Sequence, residues 1–245
     1  MTKTLGIIGF GRFGQLVAEH LKDHMEICVS DHLDKRKKAK ELGVVFTDIE
    51  KCATNDIVLL CVPISTFEKV LLQIIPFLKK GSTVLDVCSV KEKPVEAMEK
   101  YVPKTCNCVG THPLFGPDSV KNGLNGKKIV MCPIRVNQFR KIKNFLVQFG
   151  LEIIEATPEE HDKQMAKSLA LIHFLGRGLK HVNVQDVEMA TPTHEMFVEL
   201  VNIVQNDSRQ LFVDMQQHNR FTRLIRKALI QELIKIDGEI DGYLC

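Results

Sequence analysis

The chain has 245 residues, with 33 Lys and Arg against 30 Asp and Glu, a formal charge of +3, and 44% hydrophobic against 26% charged residues. This is the profile of a folded globular protein with a core of ordinary size, and it excludes both the basic excess of a nucleic-acid binder and the long apolar run of a membrane span. Eight cysteines, at positions 28, 52, 61, 88, 106, 108, 132 and 245, have no CxxC spacing and no His cluster beside them, so reduced thiols are expected and a disulfide framework or zinc site is not.

The chain opens on a short apolar run, Leu5 to Phe10, punctuated by glycine. It reads as a strand and not as a targeting segment, so a cytoplasmic protein is expected; a plastid location would require a transit peptide already removed. Strands are predicted at Thr4–Ile8, Glu26–Ser30, 44–46, 57–62, 83–87, 106–110, 128–132 and 151–155. Helices are predicted between them at 13–23, 34–42, 65–78, 93–101 and 137–149. This alternation makes residues 1–156 an α/β domain of Rossmann type, with a doubly wound, mostly parallel sheet. The near-continuous apolar strands suit burial on both faces.

The pattern changes after Thr157. Pro158, Glu159 and Glu160 make a helix start, with proline in the first turn and acids at the positive end of the helix dipole. Met165, Leu169, Ile172, Gly176 and Leu179 then recur at helical spacing. Thr191-Pro192 starts another helix carrying Met196, Leu200 and Ile203 on one face, and an amphipathic stretch runs from 211 to about 236. Residues 157–245 are therefore expected to be an all-helical domain for substrate binding and dimerisation. So few helices bury little alone, and a homodimer through this domain is expected.

Gly9-Phe10-Gly11-Arg12-Phe13-Gly14 is a GxGxxG placed between a strand and a helix, the context that makes it a dinucleotide-binding signal. Gly9 permits the tight turn, Gly11 lets the backbone approach a pyrophosphate, and Gly14 lets the helix pack on the strand. The helix N-terminus supplies N–H groups and partial positive charge. Asp31, about 20 residues downstream at the end of the second strand, stands where an acid binds the adenosine ribose of NAD; its other reading is a cap for the next helix. Its charge disfavours a 2′-phosphate, while Lys35 and Arg36 nearby leave NADP open. Arg12 and Phe13 of the loop, and Pro63 after the fourth strand, complete the expected cofactor set; no metal is expected.

Two further segments end strands on the edge where open α/β sheets bind ligands: Asp86-Val87-Cys88-Ser89-Val90-Lys91, and Gly110-Thr111-His112-Pro113-Leu114-Phe115-Gly116-Pro117-Asp118. His112 is read as a rigid loop residue after a strand, suited to accept a hydroxyl proton as hydride departs.

The segment from Thr111 to Asp118 resembles the catalytic loop of the prephenate/arogenate dehydrogenase family, in wording closest to its plant-type arogenate members. Ser89-Val90-Lys91-Glu92 resembles the same family, as does Glu159-Glu160-His161-Asp162-Lys163 followed by Ser168 and His173. The resemblance implies NAD(P)-dependent oxidative decarboxylation in tyrosine biosynthesis, giving 4-hydroxyphenylpyruvate from prephenate or tyrosine from arogenate. His112 would then accept the hydrogen bond of the C4 hydroxyl, Ser89 would bond the same region and fix His112, and His173 would contact the substrate side chain. His173 has an equal reading as a core histidine, and His161 is expected in a solvated first turn. Asp118 stands where bacterial members carry a longer acid. Asn202 stands where many carry an arginine for the ring carboxylate, which leaves Arg177, Lys167 and Arg220 as cations for the substrate. Two rivals remain at this point: an NAD-sensing regulatory module of potassium-channel type, whose glycine loop reads alike, and another oxidoreductase of the 6-phosphogluconate dehydrogenase kind.

Overall fold

The structure, a computed structural model, describes residues 3–120 and 123–242; Cys245 lies outside them. The strands are β1 (Thr4–Ile8), β2 (Glu26–Ser30), β3 (Val45–Phe46), β4 (Ile57–Leu60), β5 (Thr83–Asp86), β6 (Asn107–Pro113), β7 (Lys128–Arg135) and β8 (Glu152–Glu155). They form one sheet in the order β3-β2-β1-β4-β5-β6-β7-β8. Every neighbouring pair is parallel except β6 and β7, so the doubly wound, mostly parallel sheet is present with its last two strands reversed. Strand order reverses between β1 and β4, the crevice at which such sheets take ligands.

Successive strand residues face opposite sides, so Ile7 and Leu59 enter one apolar cluster while Ile8 and Leu60 enter the other. The helices that cover these faces are α1 (Arg12–Leu21), α2 (Arg36–Leu42), α3 (Ile49–Ala53), α4 (Ile64–Ile74), α5 (Glu92–Tyr101) and α6 (Phe139–Val147). The helix expected at 65–78 ends early, because Pro76 has no N–H to donate and Ile75–Phe77 tightens into a 3-10 turn. The short α3 was not expected; Asp48 caps it by accepting the Lys51 N–H at 2.8 Å. The sixth strand runs three residues past its expected end at 110. His112 therefore sits inside β6, opposite Val130 of β7, and not in a loop.

The chain divides into two compact units, residues 1–161 and 162–245. The division falls within α7 (Pro158–Lys167). The second unit holds α8 (Leu169–His181), α9 (Pro192–Asn206), α10 (Arg209–His218) and α11 (Thr222–Gly242). Gly176 lets α8 approach α9 closely: a Cβ there would lie 3.3 Å from Leu200 and Val204. Thr191 caps α9 and Ser208 caps α10, each accepting an N–H of its own first turn. Gln216 donates to the Ala170 carbonyl at 2.6 Å and Asn219 to the Asp162 carbonyl at 2.7 Å, tying the α10 end back onto the start of the unit.

Candidate active site

The glycine loop is fixed by backbone geometry that side chains cannot copy. Gly9 has φ 98°, and a Cβ on it would lie 2.3 Å from the Cys61 carbonyl oxygen. A Cβ on Gly14 would lie 2.2 Å from the Gly9 oxygen. Gly11 differs: a Cβ there would meet nothing within 4 Å, so the loop faces open space at that residue. The N-cap of α1 is Gly11, which has no side chain to cap the helix. An open backbone surface at a helix start whose N-cap is glycine is suited to an anionic group.

Asp31 braces this loop. Its Oδ2 accepts the Phe10 N–H at 2.7 Å and its Oδ1 the Leu33 N–H at 2.9 Å. At the start of α2 it is Asp34, not Asp31, that accepts the Arg36 N–H and pairs with the Arg36 guanidinium, both at 3.0 Å. Pro63 occupies the N-cap of α4, two residues beyond the Cys61 carbonyl against which Gly9 packs. Arg12 and Asp118, expected on cofactor and substrate respectively, pair with each other at 2.7 Å. Phe13 and Phe115 lie 6.3 Å apart between ring centroids. The glycine loop and the segment after β6 thus meet on one edge of the sheet.

Behind that edge lies a buried polar cluster. Asp86 ends β5, and Lys91 follows the same strand; neither side chain has any exposed surface. The Lys91 ammonium donates to Asp86 Oδ2 and, at 2.5 Å, to the Thr111 carbonyl. Asp86 also accepts the Thr111 N–H at 2.9 Å and the Cys88 N–H at 3.0 Å. With these partners a buried charge pair is tolerated, and it ties β5, β6 and the turn carrying Ser89 together. Thr111 precedes His112, so the cluster sets the position of that imidazole.

His112 is buried, and its Nδ1 shares a 2.8 Å hydrogen bond with Nε2 of His161. Burial, then the neighbouring His161, then the Lys91 charge push the His112 pKa well below its ordinary value, so the ring is neutral near pH 7. The expected contact from Ser89 is not what holds it: the Ser89 hydroxyl is buried with no hydrogen-bond partner among the described residues. An orphaned hydroxyl of this kind is suited to a polar atom of a bound molecule.

His161 corrects the expectation of a solvated position, since it is only 2% exposed. The signal for it was present in the sequence. His161, Met165 and Leu169 fall at intervals of four along the chain, the spacing of one helix stripe. Lys91 and Asp86 carried a fainter signal, an acid closing an apolar strand with a lysine five residues on.

The remaining expected residues belong to the second unit. His173 is buried, with Nε2 3.5 Å from Asp207 Oδ2 and Nδ1 without a partner among the described residues. Burial lowers its pKa against the opposing pull of Asp207. Arg177 donates to the Asp207 carbonyl at 2.8 Å and stacks over Phe212, so its guanidinium braces the turn between α9 and α10. Asn202 lies exposed on α9.

Residues 14–155 match the family model described as prephenate dehydrogenase, nucleotide-binding domain. The chain belongs to the prephenate dehydrogenase family. Residues 178–244 match a second model, described as TYRAAT1-like, C-terminal domain. Among curated proteins, this member of the prephenate dehydrogenase family is 32% identical to a probable arogenate/prephenate dehydrogenase of Methanocaldococcus jannaschii, over 95% of this chain and 56% of that protein. It is also 32% identical to a chloroplastic arogenate dehydrogenase of Arabidopsis thaliana, over 88% of this chain and 63% of that one. The chain thus spans less than two thirds of the length of either relative. Its fold resembles that of Aquifex aeolicus prephenate dehydrogenase, solved with hydroxyphenyl propionate and NAD+, with a TM-score of 0.75 at 23% identity, covering 98% of this chain and 93% of that one. It resembles Synechocystis arogenate dehydrogenase with a TM-score of 0.71 at 20% identity, covering 98% and 92%.

Proposed function

We propose that this chain carries out NAD-dependent oxidative decarboxylation of prephenate, arogenate or both, the step that yields 4-hydroxyphenylpyruvate or tyrosine. The observation that carries this reading is a neutral, buried imidazole at the end of β6, on the same sheet edge as an open glycine loop. The names borne by the relatives agree with it.

NAD fits the residues present. The open backbone at Gly11 and the start of α1 would take the pyrophosphate, and Asp31 Oδ2, which accepts the Phe10 N–H, keeps a lone pair for a ribose hydroxyl, while Oδ1 is taken up by the Leu33 N–H and His32. Asp31 disfavours a 2′-phosphate, and Arg36, which could answer one, is paired with Asp34. Bound there, the nicotinamide supplies the hydride acceptor. The chain's own part is proton transfer and orientation. His112 Nε2 accepts the proton of the ring alcohol as hydride leaves the same carbon. Loss of the ring carboxylate as CO2 then makes the ring aromatic. The Ser89 hydroxyl would bond the reacting region of substrate or cofactor. A substrate contact from Asp118 belongs to the same proposal.

We place the protein in the cytoplasm as a homodimer formed through its helical unit. Among the described residues no helix is long and apolar enough to cross a membrane. In α11, Leu224, Ile230, Leu233, Ile234, Ile236 and Ile240 are exposed, an apolar surface that a second copy would cover.

Rates of NADH or NADPH formation with prephenate and with arogenate test the reading. Turnover of at least one substrate, faster with NAD than with NADP, is expected. Tight NAD binding without turnover of either would favour a nucleotide sensor instead.

A further inference from the structure

His112 and His161 face each other nitrogen to nitrogen at 2.8 Å, with their rings inclined at 70°. A hydrogen bond between two ring nitrogens holds one proton, so one ring donates and the other accepts. Two imidazolium rings are excluded, since each would point an N–H at the other. The pair therefore has two neutral arrangements, and they differ in chemistry. If His161 donates, His112 keeps its own hydrogen on Nε2 and presents a donor. If His112 donates through Nδ1–H, its Nε2 presents a lone pair.

We propose that His161 is the positioning residue that selects the second arrangement: its Nε2 accepts the Nδ1–H of His112 and so makes His112 Nε2 the base. This rests on the proposed oxidation of a ring alcohol, which requires an acceptor at that nitrogen. Three features of the structure support the assignment. His161 is buried, so water does not compete for its nitrogen. It lies in α7, while His112 lies in β6, so the bond locks the imidazole to an element other than its own strand. The Ser89 hydroxyl, the other candidate for fixing His112, has no bond to it. When His112 takes up the alcohol proton at Nε2, the Nδ1–H···Nε2 bond becomes charge-assisted and steadies the imidazolium that forms. The proton balance is simple. The O–H bond breaks, the N–H bond at His112 Nε2 forms, and the Nδ1 proton stays where it was.

Nitrogen-15 chemical shifts of the histidine rings in the full-length protein read the arrangement directly, before any substrate is added. The expected spectrum has His112 protonated at Nδ1 and bare at Nε2, assigned by loss of its signals in His112→Asn. A His112 ring protonated at Nε2 alone would overturn the proposal. Variants supply a second readout. His161→Leu removes the acceptor and is expected to lower kcat by about 100-fold or more, with the NAD dissociation constant unchanged. His161→Gln restores an acceptor oxygen and is expected to recover most of that loss. If Gln is no better than Leu while both melt at the wild-type temperature, the positioning role is wrong. Should neither prephenate nor arogenate be turned over, the proposed function fails, while the ring spectrum still reports which nitrogen carries the proton.

Discussion

Asp31 shows how one side chain can carry two duties. It braces the glycine loop through the Phe10 N–H, and its Oδ2 has a lone pair left for the proposed ribose contact. Asp31→Ala is therefore expected to weaken NAD more than NADP in fluorescence titrations, and to cost about 1–3 kcal/mol of stability through the orphaned amide. Equal losses for the two nucleotides would argue against a ribose contact. Lys91 and Asp86 are a second case. Lys91→Met would leave a buried carboxylate without its counter-charge, and a loss of about 3–5 kcal/mol in denaturant unfolding is expected. At this scale the sequence was informative where chemistry forces a residue type. GxGxxG was legible because Gly9 and Gly14 have no room for a Cβ. His161 was only half legible: its stripe with Met165 and Leu169 points inward, but a histidine after two glutamates in a first turn looks solvated until its partner in β6 is known. The distance between them in sequence, 49 residues, hides that contact from any local reading.

Elements were legible wherever apolar periodicity was strong. β1, β2, α1, α5 and α6 fall within a few residues of expectation, since buried strands and amphipathic helices write their periods into the chain; the stretch expected from 211 to about 236 is instead two helices, α10 ending at His218 and α11 starting at Thr222, and the run from Pro158 to Leu179 is split between α7 and α8. The misses have local causes: Pro76 stops α4, and Asp48 caps an α3 too short to show a period. The extension of β6 to Pro113 was hidden for another reason. Pro113 reads as a loop residue, yet the antiparallel β7 alongside keeps the backbone extended as far as it. That extension places His112 in the sheet, where burial lowers its pKa. His173, on α8, is likewise held below its ordinary value by burial. Both rings take up protons more readily in the unfolded chain, so the folded state loses stability as pH falls below about 6.5, the unfolded histidine value. Each contributes a slope of up to about 1.4 kcal/mol per pH unit until its folded pKa is reached. Chemical denaturation across pH 7 to 5 checks this, and His112→Asn and His173→Asn should each flatten the slope.

For the whole molecule, sequence separates an α/β part from a helical part but leaves the assembly to be measured. The exposed apolar residues of α11 lead us to expect a dimer in sedimentation, and Leu233→Glu with Ile240→Glu is expected to shift it towards monomer. A stable, active wild-type monomer would remove the proposed dimer. The central claim is that a neutral His112 takes the substrate's proton. The pH dependence of kcat/KM tests it most directly, using whichever of prephenate or arogenate is turned over. The account predicts an acid limb of unit slope with its midpoint below 6.5, and a His112→Asn variant that retains NAD affinity, loses about 10²–10⁴ in rate and shows no such limb. An acid limb that survives unchanged in His112→Asn would contradict it.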